Sequence, residues 1–73
     1  MYTVMDFKTK RELKEALEKG VTVRVYQPND IGGVNERIKE GRHTVYIEGP
    51  HYPKPHRWYA EAEIVDGMVY KIR

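Results

Sequence analysis

Arg24, Tyr26, Tyr46, Tyr59, Lys71 and Arg73 fall at alternate positions of segments that read as β-strands, so flat rings and cations share one side of the chain. Tyrosine rings stack on nucleobases at about 1–3 kcal/mol per base, while guanidinium and ammonium groups neutralise phosphates. This is the chemistry of a nucleic-acid platform. A plainer reading competes with it: tyrosine favours strands, and Glu48, Glu61 and Glu63 on the same side would pair the cations and repel a phosphate backbone.

Beside that face lies the run from Glu48 to Tyr59, EGPHYPKPHRWY, a stiff segment between two strands. Prolines at 50, 53 and 55 favour polyproline II, which aligns Pro50, Pro53 and His56 along one edge and Tyr52, Pro55 and Trp58 along another. The resulting ridge would present His56 and Arg57 to a groove, or be gripped by an aromatic-lined partner. Its ordinary role is a rigid connection, and each X-Pro bond is open to the cis form.

A third group opens the first helix. Lys8, Lys10 and Arg11 set positive charge where the helix macrodipole is already positive, against the local stability rule, and with the bare amides there would suit an anionic ligand. Exposed lysines at such a position cost only a few tenths of a kcal/mol, so the arrangement also stands without a ligand.

Other chemistry is thinly represented. The chain has no cysteine and no serine, which removes thiolate nucleophiles and the Ser-His-Asp triad. His43, His51 and His56 lack the spacing of zinc ligands, so no metal is expected. A small ribonuclease with His51 and His56 as general base and acid, and Arg57 or Lys54 on the phosphate, is the enzymatic alternative. Gly32-Gly33 fits no phosphate-binding loop, and no cofactor is implied.

The elements that must position these groups are short. Seventy-three residues make one domain, 1–73, burying only about 60% of the surface its unfolded chain exposes. A core so small, with an exposed edge strand, favours pairing of two copies into a homodimer. Net charge is +2, too low for bulk attraction to polyanions, so any basic site is local. Absent cysteine suits a reducing cytoplasm, and no apolar stretch approaches the roughly 18 residues of a membrane helix.

Thr9-Lys10-Arg11-Glu12 reads as a capping box, with Leu13, Ala16 and Leu17 forming a narrow apolar stripe and Gly20 ending the helix. Glu15 and Lys19 form a surface pair. VTVRVYQ alternates, with Val21, Val23 and Val25 inward; HTVYIEG repeats the pattern with Val45 and Ile47. Met1 to Met5 supplies a further short strand. Between Gln27 and Arg42, a turn of helix over Asn35 to Lys39 packs through Ile31, Val34 and Ile38.

The final segment is a hairpin. A two-residue Asp66-Gly67 turn would pair Ile64 with Val69 and Ala62 with Lys71 and mix apolar with charged residues on both faces. The expected turn is therefore a three-residue bulged loop, Val65-Asp66-Gly67, which pairs Ile64 with Met68, Ala62 with Tyr70 and Ala60 with Ile72 and turns Trp58 and Tyr70 inward. The predicted fold is α+β: one helix on one face of a mainly antiparallel sheet of four or five strands, in the order (β)αββββ. The expected function is non-enzymatic nucleic-acid binding through Arg24, Tyr26, Tyr46, His56, Arg57, Tyr59, Lys71 and Arg73. The alternative is a protein-interaction module, inhibitor or adaptor, on the same surface.

Overall fold

The computed structural model describes residues 1–73, in the order β1 (Tyr2–Thr3), α1 (Lys10–Glu18), β2 (Val25–Tyr26), α2 (Val34–Ile38), β3 (Arg42–Gly49), β4 (Trp58–Val65) and β5 (Met68–Ile72). The class is α+β. Where one sheet was expected there are two antiparallel ones, β1 with β2 and β3 with β4 and β5. Backbone bonds join them at both seams: the Glu48 N–H donates to the Met1 carbonyl at 3.0 Å, the Val25 N–H to Gly67 at 3.2 Å, and the Val69 N–H to Val23 at 2.8 Å. The strands therefore follow one another around a ring, β1-β2-β5-β4-β3, and share one interior.

That interior holds Val23 and Val25 from the β2 segment, Ile47 from β3, Ala60, Ala62 and Ile64 from β4, and Leu13 from α1. Leu13 is fully buried, with Ala16 and Leu17 packed at the margin. The Thr9 hydroxyl accepts the Glu12 N–H at 3.1 Å, and the return bond from Glu12 is not made. At the other end Gly20 takes a positive φ of 81°, while its N–H and that of Val21 reach back to Leu17 and Ala16, a Schellman closure. This closure shortens the expected strand. The Val21 N–H serves the helix, so Val21 is exposed and regular pairing begins only at Val25. The helix surface carries an Arg11–Glu15 ion pair at 3.5 Å in place of the expected Glu15–Lys19 pair.

Between β2 and β3 the chain is tied down by its side chains. Asp30 accepts the Val34 and Asn35 N–H groups, and Asn35 accepts from the Gln27 N–H and donates to the Gln27 carbonyl. Ile38 is buried, but Ile31, expected to pack inward, is almost wholly exposed because it precedes the Asp30-capped turn.

The β4-β5 turn departs from the expected loop. Asp66 and Gly67 have φ of 50° and 81° and close a two-residue turn, with Val65 opposite Met68 and Ile64 opposite Val69. Asp66 is also held from outside: its carboxylate accepts the Gly41 N–H at 2.8 Å and its own N–H donates to the Gly41 carbonyl at 2.9 Å. The mismatch in alternation is absorbed within the strand, where the register shifts so that Glu63 opposes Lys71 and Tyr70 is the extra, bulged residue. Val69 takes the buried place expected for Met68 and Tyr70; Tyr70 is exposed.

Candidate nucleic-acid interface

The face of β3-β4-β5 turned away from the core carries Arg42, Thr44, Tyr46 and Glu48 on β3, and Tyr59, Glu61, Glu63 and Val65 on β4. Strict alternation puts them there, since Ile47, Ala60, Ala62 and Ile64 occupy the other parity and are buried. Tyr46 opposes Glu61 and Tyr59 opposes Glu48, so the two rings are diagonal neighbours. Both are about two-thirds exposed, as is Tyr70 on β5. The Arg42 guanidinium lies over the Tyr70 ring, 5.6 Å from its centroid.

The acids of this face are engaged. Arg73 bonds Glu61 at 3.0 Å and reaches Glu63 at 3.8 Å, Tyr46 donates its hydroxyl to Glu61 at 3.3 Å, and Glu48 meets the Met1 ammonium at 3.3 Å. Arg73 is thus spoken for within the chain, while Lys71, Arg42 and Arg57 form no ion pair.

Tyr26 belongs elsewhere. It is half-buried on β2, meeting Tyr2 edge-on at 6.1 Å and His51 at 6.2 Å. Tyr2 stacks on His51 at 4.7 Å and meets His56 edge-on, and His56 in turn meets Tyr59 at 6.4 Å. A chain of rings therefore runs from Tyr26 through Tyr2 and His56 to Tyr59, so that two predicted rings are linked by a buried tyrosine absent from the sequence-based set. Arg24 stands opposite Met68, lining a cleft of about 220 Å³ with Val4, Tyr26, Lys39 and Asp66.

The 48–59 segment is not the extended ridge expected. Gly49–Pro50 and Tyr52–Pro53 are cis, and the Lys54 N–H closes a turn onto the His51 carbonyl. The loop folds back on β1 because its polar groups find partners there. His51 Nε2 donates to the Thr3 carbonyl at 2.7 Å, and the Tyr2 hydroxyl accepts the Tyr52 N–H while bonding His56 Nε2 at 2.8 Å. The Asp6 carboxylate accepts the His51 N–H at 2.9 Å; this bond, together with the charges of His51 and Lys54, holds its pKa below the ordinary 3.8 against the opposing effect of desolvation. Nε2 of each histidine is thereby occupied in bracing the loop.

Trp58 is buried against the backbone of Gly49 and donates its indole N–H to the Phe7 carbonyl at 3.0 Å, fixing the segment that leads into α1. The helix start does not join the tyrosine face. Leu13 packs on the core side of β4, placing Lys8, Lys10 and Arg11 with the opposite layer, and Arg11 is paired with Glu15. No three His, Asp or Glu side chains converge as a metal-ligand set.

Sequence reasoning missed Tyr70, Arg42 and Tyr2. The Asp66-Gly67 dipeptide, the strongest short hairpin signal, would have turned Tyr70 outward if read as a two-residue turn. Extending the alternation of HTVYIEG back one position reaches Arg42. Tyr2 carries no such signal, lying in a two-residue strand. Comparison with protein-family models, with curated proteins and with solved structures gives no significant match.

Proposed function

We propose that this chain is a non-enzymatic binding module that takes single-stranded nucleic acid on the outer face of β3-β4-β5. The carrying observation is the exposure of Tyr46, Tyr59 and Tyr70 on one rigid sheet face, beside Arg42, Lys71 and, at the loop end, Arg57. Exposed rings suit unstacked bases, whereas a duplex hides its base faces. His56, edge-on to Tyr59, extends the surface toward Tyr2 and Tyr26. We place this role in a reducing, cytoplasmic setting, to which a chain without cysteine is suited.

Stacking dominates this mode of binding because the face carries few cations and one of them, Arg73, is already paired with Glu61 and Glu63. If Arg42, Arg57 and Lys71 each neutralise one phosphate, log K falls against log salt with a slope of about −2 for a single strand. Fluorescence polarisation with mixed single-stranded and duplex oligonucleotides at two salt concentrations tests this. Tyr46→Ala and Tyr59→Ala should each weaken single-strand binding by about 1–3 kcal/mol. Absence of salt-dependent binding at low ionic strength would end the proposal.

One observation favours a protein partner instead. Glu48, Glu61 and Glu63 offset Arg42, Lys71 and Arg73 and leave only Arg57 at the loop end in excess, so the face is rich in tyrosine and arginine with little net charge, a composition that interface centres favour. A partner retained at high salt, lost on Tyr59 truncation and indifferent to oligonucleotides would establish that reading.

A further inference from the structure

Strand β3 has one edge satisfied and one open. Its odd residues, His43, Val45, Ile47 and Gly49, turn their backbone groups toward β4, as the Arg57 N–H bond to the Gly49 carbonyl requires. The even residues turn theirs away, and of these the Glu48 N–H meets Met1. Alternation in an antiparallel ladder then leaves the N–H and C=O of Arg42, Thr44 and Tyr46 facing outward with no partner in the chain. The stretch carries no proline, no lysine and no bulge, and Arg42 is its one fixed charge. It is bounded by Gly41, with φ of 79°, and by the Glu48–Met1 bond.

We infer that this edge pairs with the same edge of a second copy, antiparallel and centred on Thr44. The sequence Arg42-His43-Thr44-Val45-Tyr46 is self-complementary in that register. Arg42 faces Tyr46 of the other copy, Thr44 faces Thr44, and His43 faces Val45. The first pairing sets a guanidinium beside a ring and the second brings two hydroxyls together, both favourable as cross-strand pairs. The outward N–H and C=O groups of residues 42, 44 and 46 become hydrogen-bonded in the same step. The two-fold axis is perpendicular to the sheet, so the closed contact is isologous.

The register also fits the boundaries of the edge. Tyr46 meets the partner's Arg42, after which the partner strand turns off at its Gly41, just short of the place where Met1 bonds Glu48. Sheets β5-β4-β3 of the two copies become one continuous sheet, with Tyr46, Tyr59 and Tyr70 of both on the same side. The pairing rests on the backbone edge; Arg42 and Tyr46 also lie on the side proposed to bind, so association is measured without oligonucleotide.

The test uses the full chain, which has no cysteine of its own. Sedimentation across a dilution series should show a monomer–dimer equilibrium. Thr44→Pro removes an N–H that the monomer does not use, and Thr44→Lys leaves the backbone intact but sets two ammonium groups opposite each other. Both should stay folded by circular dichroism and shift to monomer. Thr44→Cys should form a disulfide-linked dimer on mild oxidation, because opposed strand residues lie within disulfide reach, while the exposed Thr22→Cys should not. A monomer at every concentration overturns the inference, as does a dimer that Thr44→Pro and Thr44→Lys leave unchanged or that Thr44→Cys fails to link. Capture of a different protein's strand at this edge, with no self-association, overturns it equally.

Discussion

Single side chains in this protein are chosen by what touches them, and Gly49 is the sharpest case. A Cβ built there would stand 2.6 Å from three atoms of the Trp58 indole, far inside any real contact. Its φ is not in the left-handed region, so the requirement for glycine is purely one of space. Gly49→Ala should destabilise the fold by about 1–3 kcal/mol, read by urea denaturation. In a double-mutant cycle with Trp58→Leu, the alanine should cost less, because the ring that opposes it is gone. Sequence reading treated Trp58 as an inward strand residue, which is correct, and had no means of seeing its demand on Gly49. Cross-strand opposition of the two residues creates that demand, and opposition depends on register. Tyr2 shows the same limit: its hydroxyl joins the Tyr52 amide and His56 across fifty or more positions of sequence.

Among the elements, the β4-β5 hairpin shows how two local rules were reconciled. Clean separation of faces argued for a bulged turn, while Asp66-Gly67 argued for a two-residue turn with both residues at positive φ. The chain satisfies both by moving the bulge from the turn into β5 at Tyr70. Asp66→Asn should be nearly neutral, since asparagine tolerates the left-handed region and keeps an oxygen for the Gly41 N–H. Asp66→Val should cost about 2 kcal/mol or more, combining a β-branched residue at φ 50° with loss of the Gly41 bond. Thermal unfolding of the two variants side by side distinguishes turn geometry from charge. Helix α1 was the most legible element, from its Thr9 cap to its Gly20 closure, because both signals are local.

At the scale of the whole molecule, two sheets and two helices share one small core, so no part has an interior of its own. Unfolding should be a single cooperative transition, with near-ultraviolet circular dichroism of buried Trp58 and far-ultraviolet signal of the backbone coinciding in denaturant. Separate transitions would show that β1-β2 melts independently. The order of helix and strands, the inward valines and isoleucines of the β3 and β4 segments, the exposure of Tyr46 and Tyr59 and the absence of thiol chemistry were determined by sequence alone, because they depend on periodicity, caps and composition. Only the tertiary structure decided that Tyr26 leaves the tyrosine face, that Tyr70 joins it, that the histidine loop folds onto β1 and that the cationic helix start lies on the opposite layer. Each of those outcomes turns on which distant backbone groups find one another, and such pairings are set by closing a ring of short strands around a shared core rather than by any neighbouring residue.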